Sequence, residues 1–521
     1  MKVYLGIDLG TTNSCISRIT DMEDEPRVIE TSASDKHTLP SVVSYEEDGI
    51  VVGDIAKQYL FDVKHKNKTI KLAKMYMGSE KRWKINENLS VTPVDVSAEV
   101  LKKLMEHYKN QYGNESYECI ITCPANYMEN KKNLVLEAAK AAGISVKSLL
   151  NEPTAAAISF FKTNKDTIGK TIVVFDLGGG TLDVTVATCI KVQRDGDENY
   201  TLEYKIRSSK GEEMLGGSLW DIEVEKEMLL QCSQQTNRSE EDIRKSVADY
   251  TLIKCTSEEY KIQLSSGSLD TTFVLRSTGD LVNFRFSIED FEKKTEHLLL
   301  KALGVFDNAL ESAYNSEVEG LQKITKDDIY KIILVGGGSR MPQIKKGMIA
   351  RHPDFADKIL MRDPDLSISK GAAIWCKEYN ETILTERLSN TFGISAYPND
   401  EDEDIVCCNH IHIGQSIPCE CTLDYLTRYE CTALHQNIYQ NASSIGTKYT
   451  SLDECDKIGT LIVQLPHTVP KDTPIKTTLK VDSSGILSVI SECIGVTNSC
   501  TITLTPELEE SLPIDLILRV K

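Results

Sequence analysis

Two stretches of the chain carry residue types and spacing suited to holding a polyphosphate. Gly6-Ile7-Asp8-Leu9-Gly10-Thr11-Thr12 recurs as Phe175-Asp176-Leu177-Gly178-Gly179-Gly180-Thr181, with Asp183 close behind. Each copy reads as an apolar strand, an aspartate, a Gly/Thr turn and a second strand. Glycines let such a turn adopt φ > 0 and bring backbone N–H groups close to an anion. Threonine hydroxyls add donors. An aspartate at a strand end cannot itself hold phosphate, and is better suited to orienting a hydrated Mg²⁺. Taken alone, one D-x-G-T turn reads first as a structural hairpin. Two copies in one chain point instead to two similar halves facing a central cleft, each sending a loop to the phosphates. A third cluster, Val335-Gly336-Gly337-Gly338-Ser339-Arg340-Met341-Pro342, follows a strand and opens a helix. A helix N-terminus with close backbone approach suits a sugar or α-phosphate, and Arg340 can stack on a base. The alternative is a plain strand-to-helix turn. Neither GxGxxG with an acidic ribose ligand nor a GxxxxGK[ST] loop occurs, which disfavours a Rossmann site and a P-loop.

The elements that must position these loops alternate between strand and helix. Val3 to Ile7 is an apolar run ending at Asp8, and Thr171 to Phe175 is another ending at Asp176. Cys119 to Thr122 and Ile332 to Val335 also read as strands. Asn133 to Ala142 reads as an amphipathic helix stopped by Gly143. Residues 220–264 and 288–314 carry helical spacing. This predicts an α/β architecture over residues 1–378. After it the pattern changes to short strands: Ile405 to Cys408, Ile411 to Ile413, Ile438 to Tyr439, Leu461 to Leu465, Thr477 to Val481, Ile486 to Ile490 and Thr501 to Leu504. An all-β domain is predicted over 389–506. Residues 379–388 form the linker, and 507–521 a tail too short for more than one helix.

Composition narrows the function classes. The chain has 521 residues, 40 % hydrophobic and 26 % charged, with 59 basic and 78 acidic side chains and a net charge of -19. At about 100–200 residues per domain this predicts three or four folding units. The apolar content excludes a disordered chain. No apolar run approaches the ~18 residues of a membrane span, and the N-terminus reaches Asp8 and a glycine turn too soon for a signal peptide. The acidic balance argues against nucleic acid or a membrane as partner, so a bound polyphosphate must be held locally by amides, a few cations and a metal. The 15 cysteines are odd in number and lack a CxxC pair. They read as reduced, mostly buried thiols of a cytoplasmic protein.

The blocks together resemble the heat shock protein 70 (DnaK-type) chaperones of the actin-like ATPase superfamily. Gly6 to Ser14 is similar to that family's opening signature. Asn151-Glu152-Pro153-Thr154-Ala155-Ala156-Ala157 and Asp176 to Val184 resemble its second block, and Leu215-Gly216-Gly217 and Val335 to Pro342 its third and fourth. The resemblance implies an actin-like fold of two α/β lobes around a nucleotide cleft, followed by a β-sandwich that binds peptide. It implies ATP/ADP and Mg²⁺ as cofactors and slow ATP hydrolysis. Asp8 and Asp176 would orient Mg²⁺ through water. Gly10, Thr11, Thr12, Asn13, Gly178, Gly179, Gly180, Gly216 and Gly217 would line the phosphates, with Thr181 against the γ-phosphate. Lys74, at the family's spacing from Thr69 and Gly78, would be the catalytic lysine, and Glu152 would position the attacking water. Gly336, Gly337, Ser339 and Arg340 would hold the adenosine. Glu258, Lys261 and Ser265 would close over it, and Asp365 falls in a further nucleotide-site block. Without the resemblance, Lys74 reads as a solvated helix lysine and Glu152 as a helix N-terminal carboxylate.

The β-rich part resembles a diverged peptide-binding sandwich, with Ile394, Tyr397 and Ile438 as cleft candidates and ordinary sandwich core as the alternative for each. Client peptides are the implied partners, with a J-domain co-chaperone and a nucleotide exchange factor. Four departures stand out. The linker is Ile383-Leu384-Thr385-Glu386, poorer in leucine than the family's. Lys132 accompanies Pro124 where the family has arginine, losing the planar fork. An acidic insert spans Asn399 to Asp404, either a solvated loop or a preference for basic peptides. The chain stops at Lys521, where the family continues into a helical lid. The expected function is an ATP-driven peptide-binding chaperone of a shorter, specialised bacterial kind. The alternative is an ATPase of the same superfamily with one dedicated partner, and a small-molecule kinase on the same core is disfavoured.

Overall fold

The strand Val3–Asp8 turns through four residues into the antiparallel strand Asn13–Thr20, and Thr171–Leu177 turns in the same way into Leu182–Gln193. Around each hairpin the sheet is built identically. The first runs Ser148–Asn151, Tyr117–Cys123, Val3–Asp8, Asn13–Thr20, Arg27–Val28. The second includes, in the same order, Ile359–Met361, Ile329–Val335, Thr171–Leu177, Leu182–Gln193, Tyr200–Glu212. In each, the two strands on one side run parallel to the central one, and the two on the other side follow by successive antiparallel pairings. Parallel neighbours need long crossovers, supplied by helices such as Pro93–Tyr112 and Pro342–Arg351. This duplicated α/β order is the actin-like arrangement. Thr171–Leu177 is buried at every position, as a central strand covered on both faces must be. Its Phe175 meets Phe306 edge-on and shares a core with Trp220 and Leu310; Phe306 and Leu310 lie on the apolar stripe of helix Glu296–Asn315.

The computed structural model describes residues 1–520 apart from 32–35, 194–199, 317, 319, 362, 400, 402–403, 444–445, 484, 495–498 and 504–517. Half of the acidic insert (Asp400, Asp402 and Glu403), Leu504 and the 506/507 boundary lie outside the described residues. The chain divides into two compact units, 1–126 with 134–383, and 127–133 with 384–521. Among the described residues no helix is long and apolar enough to cross a membrane, and the 14 cysteines whose side chains are described are free thiols.

The second unit is β-rich. One antiparallel set joins Tyr449–Ser451, Val406–Ile411, Thr391–Tyr397, Cys431–Asn441 and Asp456–Val469. Another joins Cys419–Thr427, Pro474–Val481, Leu487–Cys493 and Ser499–Thr503. Ile394, Tyr425, Ile438, Leu479 and Val489 share one core. The strands run longer than the apolar runs that mark them. Ile405–Cys408 and Ile411–Ile413 fuse into Val406–Ile411, and Cys419–Thr427 forms where no strand was expected. Ile383–Arg387, read as linker, is itself a strand.

Candidate functional site

Three glycine-containing turns of the α/β unit meet. In the first, Ser41 Oγ donates to the Gly10 carbonyl at 2.8 Å and the Gly10 N–H donates to Ser14 Oγ at 3.1 Å. In the second, the Gly178 N–H donates to the Thr181 carbonyl at 3.0 Å. The turns touch through their glycines. A Cβ on Gly179 would lie 1.9 Å from Thr12 Oγ1, and one on Gly180 would lie 3.0 Å from Thr11 Oγ1. Gly216 is pressed on the same turn, where a Cβ would be 2.4 Å from the Gly180 nitrogen. The Gly217 N–H donates to the Gly178 carbonyl at 2.9 Å. The third turn arrives through Gly336. Its φ of 76° requires glycine, and so does its approach to Asp176, whose Oδ1 would lie 2.5 Å from a Cβ there. Thus Gly10 to Asn13, Gly178 to Thr181, Gly216, Gly217 and Gly336 form one constellation.

Charged groups sit beneath these turns. Leu72, at φ 59°, starts the short turn Ala73–Tyr76 that carries Lys74 inward. Glu152 opens the helix Glu152–Thr163. That helix is fixed by helix Ser367–Glu378, because a Cβ on Gly371 would meet the Ala155 carbonyl at 1.7 Å and one on Gly6 the Ala373 nitrogen at 2.2 Å. Lys74 Nζ donates to Glu152 Oε1 at 2.6 Å and to the Leu9 carbonyl; both side chains are buried. Lys74 is therefore no solvated lysine, and Glu152 is both a helix-start carboxylate and the lysine's partner.

Asp8 and Asp176 close the group. Burial, then the Glu152 charge, pushes Asp8 up to about 7 against the relief of Lys74 and of Thr122 Oγ1, which donates to it at 3.3 Å. Asp176 is raised well above the carboxylate range by burial, then by Glu152, Asp183 and Asp8. Asp183, pairing with Asp176 across the hairpin, is raised by burial and by Glu152. Four carboxylates thus press on one another around one lysine. That excess of negative charge suits a cation. Among the described residues no three His, Cys, Asp or Glu side chains form a direct ligand set.

The predicted nucleoside residues lie on the same unit. Lys261 Nζ donates to the Gly217 carbonyl at 2.9 Å and pairs with Asp221 at 2.7 Å. Glu258 pairs with Lys57 at 3.0 Å; burial works to raise it, but Lys57 holds it below the ordinary range. Ser265 caps its helix through the Lys261 carbonyl at 3.3 Å. Arg340 is ion-paired with Asp365, and Gly337 faces Asp365, 3.9 Å from a Cβ to Oδ1. Ser339 Oγ accepts from the Leu177 N–H at 3.4 Å, tying the third turn to the second strand. Lys57, Asp221 and Thr122 were not anticipated. Each is an ordinary polar residue whose partner is remote in sequence, and no local signal marks it.

In the β unit, Ile394 and Ile438 face each other across paired strands and are fully buried in the core, which is the sandwich-core reading of both. Tyr397 is half-buried, with the Arg428 guanidinium 3.7 Å from its ring centre.

The family model described as "Hsp70 protein" matches residues 4–513. The chaperone protein DnaK of Mycoplasma mobile is 28 % identical over 96 % of this chain and 79 % of its own length. That of Mycoplasmoides gallisepticum is 28 % identical over 98 % and 82 %. That of Mycoplasmopsis synoviae is 28 % identical over 96 % and 79 %. With the duplicated lobes, the meeting turns and a match over nearly the whole length, the chain belongs to the Hsp70 family of chaperones.

Proposed function

We propose that the α/β unit, residues 1–378, binds ATP with Mg²⁺ at the meeting turns and hydrolyses it slowly to ADP and phosphate. The observation that carries this is the buried Lys74–Glu152 pair held beside Asp8 and Asp176 where two duplicated turns converge. Phosphoryl transfer to water depends mainly on positioning and charge neutralisation. Bound Mg²⁺ would supply charge neutralisation and orientation of the phosphates. Asp8 and Asp176 would hold its water shell. Backbone amides and hydroxyls of Gly10 to Asn13 and Gly178 to Thr181 would cradle the β- and γ-phosphates. Lys74 would offset γ-phosphate charge, and Glu152, oriented by Lys74, would accept a hydrogen bond from the attacking water. Gly336, Gly337, Ser339 and Arg340 would hold the adenosine, Asp365 steadying the guanidinium. Glu258, Lys261 and Ser265 would cover it from helix Val247–Leu264.

The β unit, residues 389–506 after a linker at 379–388, would bind extended apolar segments of client proteins through main-chain hydrogen bonds. Tyr397 is the candidate at its surface. A J-domain co-chaperone, a nucleotide exchange factor and a cytoplasmic location complete this reading. Family membership favours it over an ATPase with one dedicated partner. The test is phosphate release from ATP with and without Mg²⁺ and an apolar peptide library. Mg²⁺-dependent release stimulated by peptide is expected; release indifferent to every peptide would return the dedicated-partner reading.

A further inference from the structure

The segment Leu518–Val520 holds a position that its sequence gives no reason to expect. Along Thr391–Tyr397, the strand Cys431–Asn441 pairs as far as Ile394 and then departs. Ala396 is left with Val406 on one side only, and Tyr397 lies just past the end of that pairing. In the other set, Tyr425 to Thr427 end a strand whose partner Pro474–Val481 lies on one side only. Each is an open edge, with N–H and C=O groups facing out. Leu518–Val520 runs between them, parallel to Ala396 and Tyr397 and antiparallel to Tyr425 through Thr427. It is the one strand among the described residues that joins the two sets.

We propose that Leu518–Val520 is a tethered self-ligand, filling a strand slot between Ala396–Tyr397 and Tyr425–Thr427 that an extended apolar segment of another protein takes when this one leaves. This rests on the reading of the β unit as the peptide-binding part. Three features support it. The strand has 3 residues where its neighbours have 7 and 9, and each backbone hydrogen bond contributes only about 1 kcal/mol net. Its hold is therefore a few backbone bonds and the burial of Leu518, about 1.5–3 kcal/mol for such a side chain, a small total beside that of its longer neighbours. Leu518 is 1 % exposed within the core and Val520 packs at its margin. Side chains two apart share a face of a strand, so the slot reads an apolar residue, any residue, then an apolar residue. Beyond Val520 a cavity of about 290 Å³ continues between Cys408, Leu423, Lys448 and Tyr449. A side chain larger than valine fits there, so the resident segment is not the best occupant the slot admits.

A labelled peptide with the sequence of residues 516–520, Leu-Ile-Leu-Arg-Val, tests this by fluorescence anisotropy on the full chain. A tethered competitor acts at millimolar effective concentration, so the Leu518→Asp variant should bind the peptide about tenfold tighter than the wild type. The same peptide with phenylalanine in the place of Val520 should bind both proteins more tightly than its parent. Hydrogen exchange on the wild type gives a second reading that needs no variant. Saturating peptide should speed exchange at Leu518 to Val520 and leave Ala396, Tyr397 and Tyr425 to Thr427 protected. A folded Leu518→Asp protein that binds peptide no tighter, or unchanged exchange at 518–520 with peptide bound, overturns the self-ligand while leaving peptide binding intact. Absence of binding to either protein by any apolar peptide overturns both readings.

Discussion

At the meeting turns of the α/β unit the buried polar groups are ionic and mismatched: Lys74 faces Glu152, Asp8, Asp176 and Asp183, and burial with mutual repulsion raises three of the four carboxylates. One buried cluster of the β unit is instead neutral and matched. Gln436 Nε2 donates to Thr477 Oγ1 at 2.7 Å, Ser491 Oγ donates to Gln436 Oε1 at 2.6 Å, and the two hydroxyls lie 2.7 Å apart, closing a ring with all three side chains fully buried. His410 Nε2 and Tyr425 Oη lie 2.6 Å apart, a second neutral contact in the same unit. A closed neutral network satisfies every member and specifies a core. A crowd of carboxylates around one lysine costs stability, and such arrangements cluster where chemistry is done.

The largest effect should come from Lys74→Ala. It removes the one ammonium among these carboxylates, so ATP hydrolysis should fall at least about 100-fold. Leaving Glu152 buried and unpaired should also cost about 3–5 kcal/mol of stability. Quenched-flow kinetics and calorimetry of the same preparation would show both. Gln436→Ala should break the comparison from the other side. It opens the neutral ring and should cost the β unit about 2–3 kcal/mol, with hydrolysis in the α/β unit unchanged.

The two units should also respond to pH in opposite directions. His410 is lowered by burial to about 4 from 6.5. Below pH 6.5 the unfolded chain binds the proton that the folded one refuses, so β-unit stability is full above 6.5 and lost as pH falls toward 4. Asp8 is raised to about 7 from 3.8. The folded state holds a proton that the unfolded chain has released, so nucleotide-free α/β stability falls as pH rises from about 4 to 7. Differential scanning calorimetry at about pH 5 and about pH 7.5 should move the two transitions apart in opposite senses. The smallest effect belongs to an exposed pair, Glu241 with Lys245 at 2.7 Å. Glu241→Gln should change stability by less than about 0.5 kcal/mol and hydrolysis not at all.

The turns were legible because each is local: aspartate, glycines and threonines lie within a short run and their spacing survives translation into structure. Lys74 was not legible from its own neighbourhood, Lys71-Leu72-Ala73-Lys74, which reads as surface. Only the resemblance singled it out, since its burial depends on Glu152 and Leu9 far along the chain. Lys57, Asp221 and Thr122 escaped for the same reason. In the β unit, Cys419-Glu420-Cys421-Thr422-Leu423 alternates cysteine and leucine with polar residues too weakly to announce a strand. Leu518–Val520 is a strand because two edges lie open for it, a property of Ala396 and Tyr425 rather than of its own sequence.

The central claim is that the raised carboxylates of the α/β unit are there for hydrolysis and not for the fold. Single-turnover ATP hydrolysis by Asp176→Asn, measured beside its nucleotide-free melting temperature, tests this most directly. The account predicts hydrolysis reduced at least about 100-fold with a melting temperature equal to or above the wild type, because a repelled buried charge has been neutralised. Wild-type hydrolysis in the variant, or a variant that loses its fold instead of its activity, would contradict it.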